Sequence, residues 1–266
     1  TECVAIGHNA GYNAQDSRCV AIGNSAGSSL QGDSAIAMGS SAAKLDQGNY
    51  SVAIGRLAGY DSQAADCVAI GNQAGSNVQG ANAVAVGVYA GRADQGAQSV
   101  AVGYRCGCAG QGTNSIAIGR EGGLNAQGAN SVAMGYQGGQ GDQGAQSVAI
   151  GYRAGCGSQG ADSIAMGRDA AKANQGTQSV ALGSYAGCNA QGGNSVAVGP
   201  YAGQADQGDL SVAIGYAAGM NNQGDHAIAI GRDSARNNQG ARSCIINSSG
   251  GNHQNTVADS LRIVQV

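Results

Sequence analysis

The sequence predicts an all-β parallel solenoid of about fifteen 16-residue coils, and three observations predict it. A unit such as Ser147-Val148-Ala149-Ile150-Gly151, completed by Tyr152 to Asp162, recurs without a register break from Cys3 to Arg242. The chain holds 48 Gly but one Pro, no Phe and no Trp, so the side chains that fill a globular core are missing and a repeat architecture is indicated. Sixteen residues are too few for two helices or a helix-strand unit, yet suit two short strands and two tight turns. At about 4.8 Å per coil, the repeats predict a rod on the order of 70 Å long.

The first strand occupies places one to five of each coil. Place two is Val or Ile in all fifteen, place three is Ala, place four is Ile, Val, Met or Leu, and place five is Gly. This alternation reads as a half-buried strand. Val and Ile are expected to point into the coil, and Ser, Ala and Gly to the opposite face. Places eight and nine, as in Ala26-Gly27 and Ala90-Gly91, read as a second, shorter inward segment before a variable loop. Coils three, eleven and fifteen depart together, with Ala42-Ala43-Lys44, Ala170-Ala171-Lys172 and Ser234-Ala235-Arg236. Place thirteen is Gln in every coil, from Gln15 to Gln239. Stacked Gln amides either form a ladder along the axis or satisfy turn carbonyls within their own coil, and both roles are structural.

Residues 1–242 form the repeat domain and 243–266 a capping segment. There Asn247 replaces the turn Gly, and Val257, Leu261, Ile263 and Val264 bring bulk to an end that solenoids must cover. One Val, one Ile-like residue and one Ala per coil offset too little of the entropy of ordering sixteen residues, so something else must pack on so thin a coil. The small-residue stripe nominates copies of the chain. A homotrimer meeting along Ala53, Ala101, Ala149 and Ala197 is the compact closed solution.

The Ser-Val-Ala-Ile-Gly motif, intact at 51–55, 147–151 and 211–215, resembles the signature of trimeric autotransporter adhesin heads. That resemblance implies left-handed parallel β-rolls wound as homotrimers that bind host surfaces. Family repeats are shorter, so the added Gln-Gly turn implies a different outer loop. The tail, Cys244 to Gly251 and Asn255 to Val264, is similar to segments ending β-roll regions in viral and phage tail-fibre proteins. There a C-terminal intramolecular chaperone follows, trimerises the chain and is cleaved off.

Little in the sequence suggests reaction chemistry. Net charge is −3 with 11% charged residues and no basic run, which speaks against nucleic acid. No apolar run approaches the roughly 18 residues of a membrane span, so no membrane insertion is expected. The eight Cys substitute for small residues and read as free thiols, with only Cys3 and Cys19 stacked closely enough for a disulfide. His8, His226 and His253 occupy unrelated places and read as solvated loop residues. Asp46, Asp94, Asp142 and Asp206 share place twelve, but at three- or four-coil spacing cannot share a metal. No catalytic residue, metal or cofactor is expected.

Recognition is expected in the loops. Place six of coils seven to eleven reads Tyr104, Arg120, Tyr136, Tyr152 and Arg168, with Arg105 and Arg153 alongside. Such a row either stacks on sugar rings and grips acidic groups or merely covers neighbouring coils. The expected function is a non-enzymatic, extracellular rod of a trimeric surface fibre, on a virion or cell surface, attaching a virus or phage to a host receptor such as a glycan. The alternative is the head of a bacterial trimeric autotransporter adhesin. An ice-binding solenoid is the rival from another class, and scarce Thr weighs against it.

Overall fold

The computed structural model describes residues 2–247, 249 and 257–264, and every regular element among them is a β-strand. The chain forms two compact units, 1–131 and 132–266, each a parallel solenoid with two strands per coil. In the first unit one sheet runs from Val4–Ile6 through Val20–Ile22 to Ile116–Ile118, each strand lying over the next sixteen residues on. A second sheet carries the Gln column, from Asn13–Gln15 to Ala109–Gln111, with Gln47 and Gln127 joined by single bridges. The second unit repeats the plan, from Val132–Met134 to Cys244–Asn247 in one sheet and from Asp142–Gln143 to Asn237–Gln239 in the other.

The predicted first strand is present, but its faces are reversed, and the second strand lies at places eleven to thirteen, with places eight and nine in the turn before it. Ala53, Ala101, Ala149 and Ala197 are fully buried inside their own coils, not on a surface stripe where copies could meet. The Ala column joins Ala58, Ala74 and Ala90 of place eight in the core of the first unit, and Ala154, Ala186 and Ala202 in that of the second. Val and Ile face outward and are only partly covered, with Ile54 37% and Met166 41% exposed. The reason is the width of the lumen. A methyl group added at Gly155 would stand 3.2 Å from the Ala149 methyl and 2.8 Å from Gln159 Oε1. A strand and a turn held this close leave room for Ala against Gly and for nothing branched. Gly151 is fixed by its own corner, where φ is +133° and an added Cβ would meet the Gly167 carbonyl oxygen at 2.6 Å.

The Gln side chains cross that lumen. Gln159 Nε2 donates to the Val148 carbonyl of its own coil at 2.9 Å and to the Ser163 carbonyl of the next at 3.4 Å. The first bond recurs in every coil from Gln31 to Gln239, and the second in most of them. Amide-to-amide bonds also occur, as in Gln63 to Gln79 and Gln175 to Gln191, both 3.1 Å. The bridging role therefore runs through the column and ties the two sheets of each coil together, whereas the ladder forms only at isolated steps, Oε1 of Gln95, Gln111 and Gln127 among others meeting no donor. Place one adds a further clasp: the Ser195 hydroxyl donates to Gly208 O at 2.8 Å.

Cysteine in the Ser place does the same work. Cys67 Sγ donates to Gly80 O and Cys19 Sγ to Gly32 O, both at 3.0 Å. All eight sulfurs are thiols in this structure. Burial pushes the Cys19, Cys67 and Cys106 thiols above their ordinary pKa. Iodoacetamide at mildly alkaline pH is therefore expected to label half-buried Cys3, Cys156 and Cys244 first and to leave Cys19, Cys67 and Cys106 unmodified until denaturant is added. Mass spectrometry of the labelled peptides reads this directly, and uniform labelling of the folded chain would contradict it.

At the tail, Ile245 takes the Ala place and is fully buried, closing the Ala column of the second unit with a larger side chain. Leu261–Val264 adds one more parallel strand on Cys244–Asn247. Val257, Leu261 and Ile263 stay more than 60% exposed, so Ile245 rather than these residues fills the lumen. The Val264 side chain, His253 and residues 248, 250, 251, 255 and 256 of the tail motif lie outside the described residues.

Candidate recognition surfaces

Two features of the repeat project side chains from the coil. The first is the outward column of Val and Ile, held in line within each unit by the strand register. Each unit therefore carries a continuous aliphatic stripe, the kind of surface that marks a protein contact.

The second is the corner after the place-five Gly. Place seven adopts left-handed φ in coil after coil, with values of +54° at Arg153, +51° at Asp169 and +58° at Tyr185. Places six and seven consequently form one ridge of side chains on each unit. In the first unit the Arg120 guanidinium lies 5.8 Å from the Tyr104 ring centroid, and Arg105 lies 3.8 Å from Glu121. Tyr89 meets Tyr104 edge-on at 6.5 Å, with Arg92 over the Tyr89 ring.

In the second unit Tyr136 and Tyr152 stack at 5.1 Å, and Arg153 and Arg168 lie 3.7 and 3.6 Å from the buried Asp169 carboxylate. The predicted row is thus brought together in two groups: Tyr104, Arg105 and Arg120, and Tyr136, Tyr152, Arg153 and Arg168. It also continues beyond the residues expected. Tyr185 and Tyr201 stack at 5.3 Å, Tyr216 meets Tyr201 edge-on at 5.9 Å, and Arg232 covers the Tyr216 ring at 5.8 Å. Buried Asp233 lies between Arg232 at 3.4 Å and Arg236 at 3.3 Å.

The aromatic residues change column for two coils and then return, Tyr216 and Arg232 standing again at place six beyond the stretch first singled out. Tyr185 and Tyr201 stand at place seven, so scanning place six alone loses them. The ridge also accounts for one departure in the repeat. Arg236 of coil fifteen is a counter-charge to Asp233, whereas Lys44 of coil three instead sits over the Tyr60 ring at 5.7 Å. Nothing in the structure explains why Ala replaces Gly at place nine beside each of them.

Among the described residues no group of three or more His, Cys, Asp and Glu side chains is arranged to hold a metal. On the Gln-Gly turns of the second unit, Asp206, Asp209 and Asp225 line an open groove. Asp225 Oδ1 accepts a backbone hydrogen bond from Asp209 N at 3.0 Å, a contact that stitches successive turns.

Fold and surface together define an all-β parallel solenoid with an apolar stripe and a separate aromatic-cationic ridge. Residues 158–186 match the YadA head domain repeat, in two copies. No curated protein and no solved structure matches the chain.

Proposed function

We propose that the chain is a head segment of a trimeric adhesin displayed outside the cell, where it attaches its carrier to a host surface. The matched head repeat supports this reading over the viral or phage fibre that the tail segment suggests. The observation that carries it is the outward Val and Ile stripe. Water-exposed aliphatic residues at two places in every coil are costly for a lone solenoid and become buried when sister chains align them about a common axis. The trimer contact therefore passes to this stripe from the Ala column.

Sedimentation equilibrium tests the assembly. The wild-type chain is expected at three times its 25.9 kDa mass. Ile54→Asp combined with Ile214→Asp places carboxylates on the stripe of each unit and is expected to shift the population to single chains. A wild-type chain that sediments as a folded monomer would overturn the trimer. Failure of the wild-type trimer to attach to host-cell layers would overturn adhesion.

A further inference from the structure

We propose that the ridge of the second unit between Arg168 and Arg232 is a binding site for a linear anionic glycan; this deepens the adhesin reading and rests on it. Three tyrosines of successive coils, Tyr185, Tyr201 and Tyr216, form its centre. A guanidinium closes each end, Arg168 over Tyr185 at 5.3 Å and Arg232 over Tyr216 at 5.8 Å. Four coil steps separate the two arginines, on the order of 19 Å at the spacing of paired strands.

Charge selects the class of ligand. The buried Asp169 is shared by Arg153 and Arg168, and the buried Asp233 by Arg232 and Arg236. Four guanidinium groups against two carboxylates leave one net positive charge at each end of the tyrosine row. The carboxylates lie beneath, while the Arg168 and Arg232 side chains are 65% and 71% exposed. The acids therefore hold the arginines in place without covering their outward N–H groups, and a fixed guanidinium loses less freedom when it grips an anion.

The ring contacts select the mode of recognition. The Tyr185 ring has Arg168 over it and stacks on Tyr201, while the Tyr216 ring is shared between Arg232 and the edge contact with Tyr201. Sugar rings therefore do not stack on these faces. Phenol hydroxyls spaced by one coil and guanidinium N–H groups at the ends are left to act, a set suited to sugar hydroxyls flanked by sulfate or carboxylate. A ridge of side chains in contact from coil to coil favours an extended chain lying along it over a compact ligand.

Isothermal titration of the wild-type trimer with a heparin-derived octasaccharide, a hyaluronan octasaccharide and neutral chitohexaose tests the site. At least one anionic probe is expected to bind, more weakly as salt rises, and chitohexaose is not. Arg168→Gln with Arg232→Gln is expected to weaken that binding by about tenfold or more. Its thermal midpoint should hold, because Arg153 and Arg236 still neutralise the two acids. The triple change of Tyr185, Tyr201 and Tyr216 to Phe keeps the ring contacts, removes only hydroxyls, and is expected to cost about fivefold. Binding of neither anionic probe, unchanged affinity in the double Arg variant, or equal binding of chitohexaose would overturn the proposal. Attachment of the wild-type trimer to host-cell layers is measured alongside. Attachment without oligosaccharide binding sinks the glycan site alone, whereas absent attachment sinks the adhesin reading.

Discussion

Gln159→Glu is expected to lower the stability of the folded chain by about 3–5 kcal/mol at neutral pH, the cost of an uncompensated buried charge. Gln159 is 3% exposed, and its amide nitrogen donates to two carbonyl oxygens across the lumen. A carboxylate in that place turns both donated bonds into repulsions between oxygens and has no cation to meet it. Burial and those oxygens raise the carboxyl pKa in the folded state above its unfolded value. The neutral acid is thus the form the fold accepts, and it can still donate one O–H bond. Stability is fully present below the unfolded pKa and is lost as pH rises through the folded pKa. The variant should therefore recover much of its deficit on acidification, while the wild-type chain gains nothing from this group. Urea unfolding at neutral and acidic pH measures both. A variant that matches wild type at neutral pH would show that the Gln column does not bridge the two sheets.

The same column shows what was legible in the sequence. An unbroken Gln every sixteen residues fixes the coil length, the parallel register and a structural role for the amide. Of the two candidate roles the bridge prevailed, because an Nε2 that donates both hydrogens to carbonyl oxygens, as in Gln159, has none left for the next amide. The position of the first strand was equally plain, since Val-Ala-Ile triplets before a Gly admit few alternatives, whereas the second strand formed within the stretch read as a variable loop. The polarity of the first strand was not plain. The rule that larger aliphatic residues face the interior assumes a core wide enough for them, and lumen width is set by the separation of two sheets that no single strand encodes. The Ala-Gly pairs at places eight and nine did carry the signal. Small residues on the strand and on the turn facing it, such as Ala149 against Gly155, mean that the two walls approach closely there. The recognition ridge was half legible for a related reason. Left-handed backbone at place seven sets its side chains beside place six, and only the corner geometry reveals that the two columns form one surface.

That reversed polarity is itself testable by the second large effect. Ala149→Val is expected to destabilise the chain by about 3 kcal/mol, at the upper end of the range for overpacked cores. Ala149 is fully buried between Ala133 and Ala165 in the same column, and 3.2 Å from the space above Gly155. Overpacking is tolerated where neighbouring side chains can turn aside, but here the neighbours are methyl groups and backbone, which have no rotamers to yield. Any relief must come from parting the two sheets, which stretches the Gln159 bonds to Val148 and Ser163 and those of the adjoining coils. The neighbouring outward position gives the contrast. Ile150→Val removes one methylene from a side chain that the coil leaves only partly covered. In the Ile54→Asp, Ile214→Asp background, where sister chains no longer cover the stripe, it is expected to change stability by about 0.5 kcal/mol or less. A core packed by Val and Ile would give the opposite order, with Ala149→Val nearly silent and Ile150→Val the costlier change. Comparing the two thermal midpoints therefore decides which face of the strand holds the solenoid together.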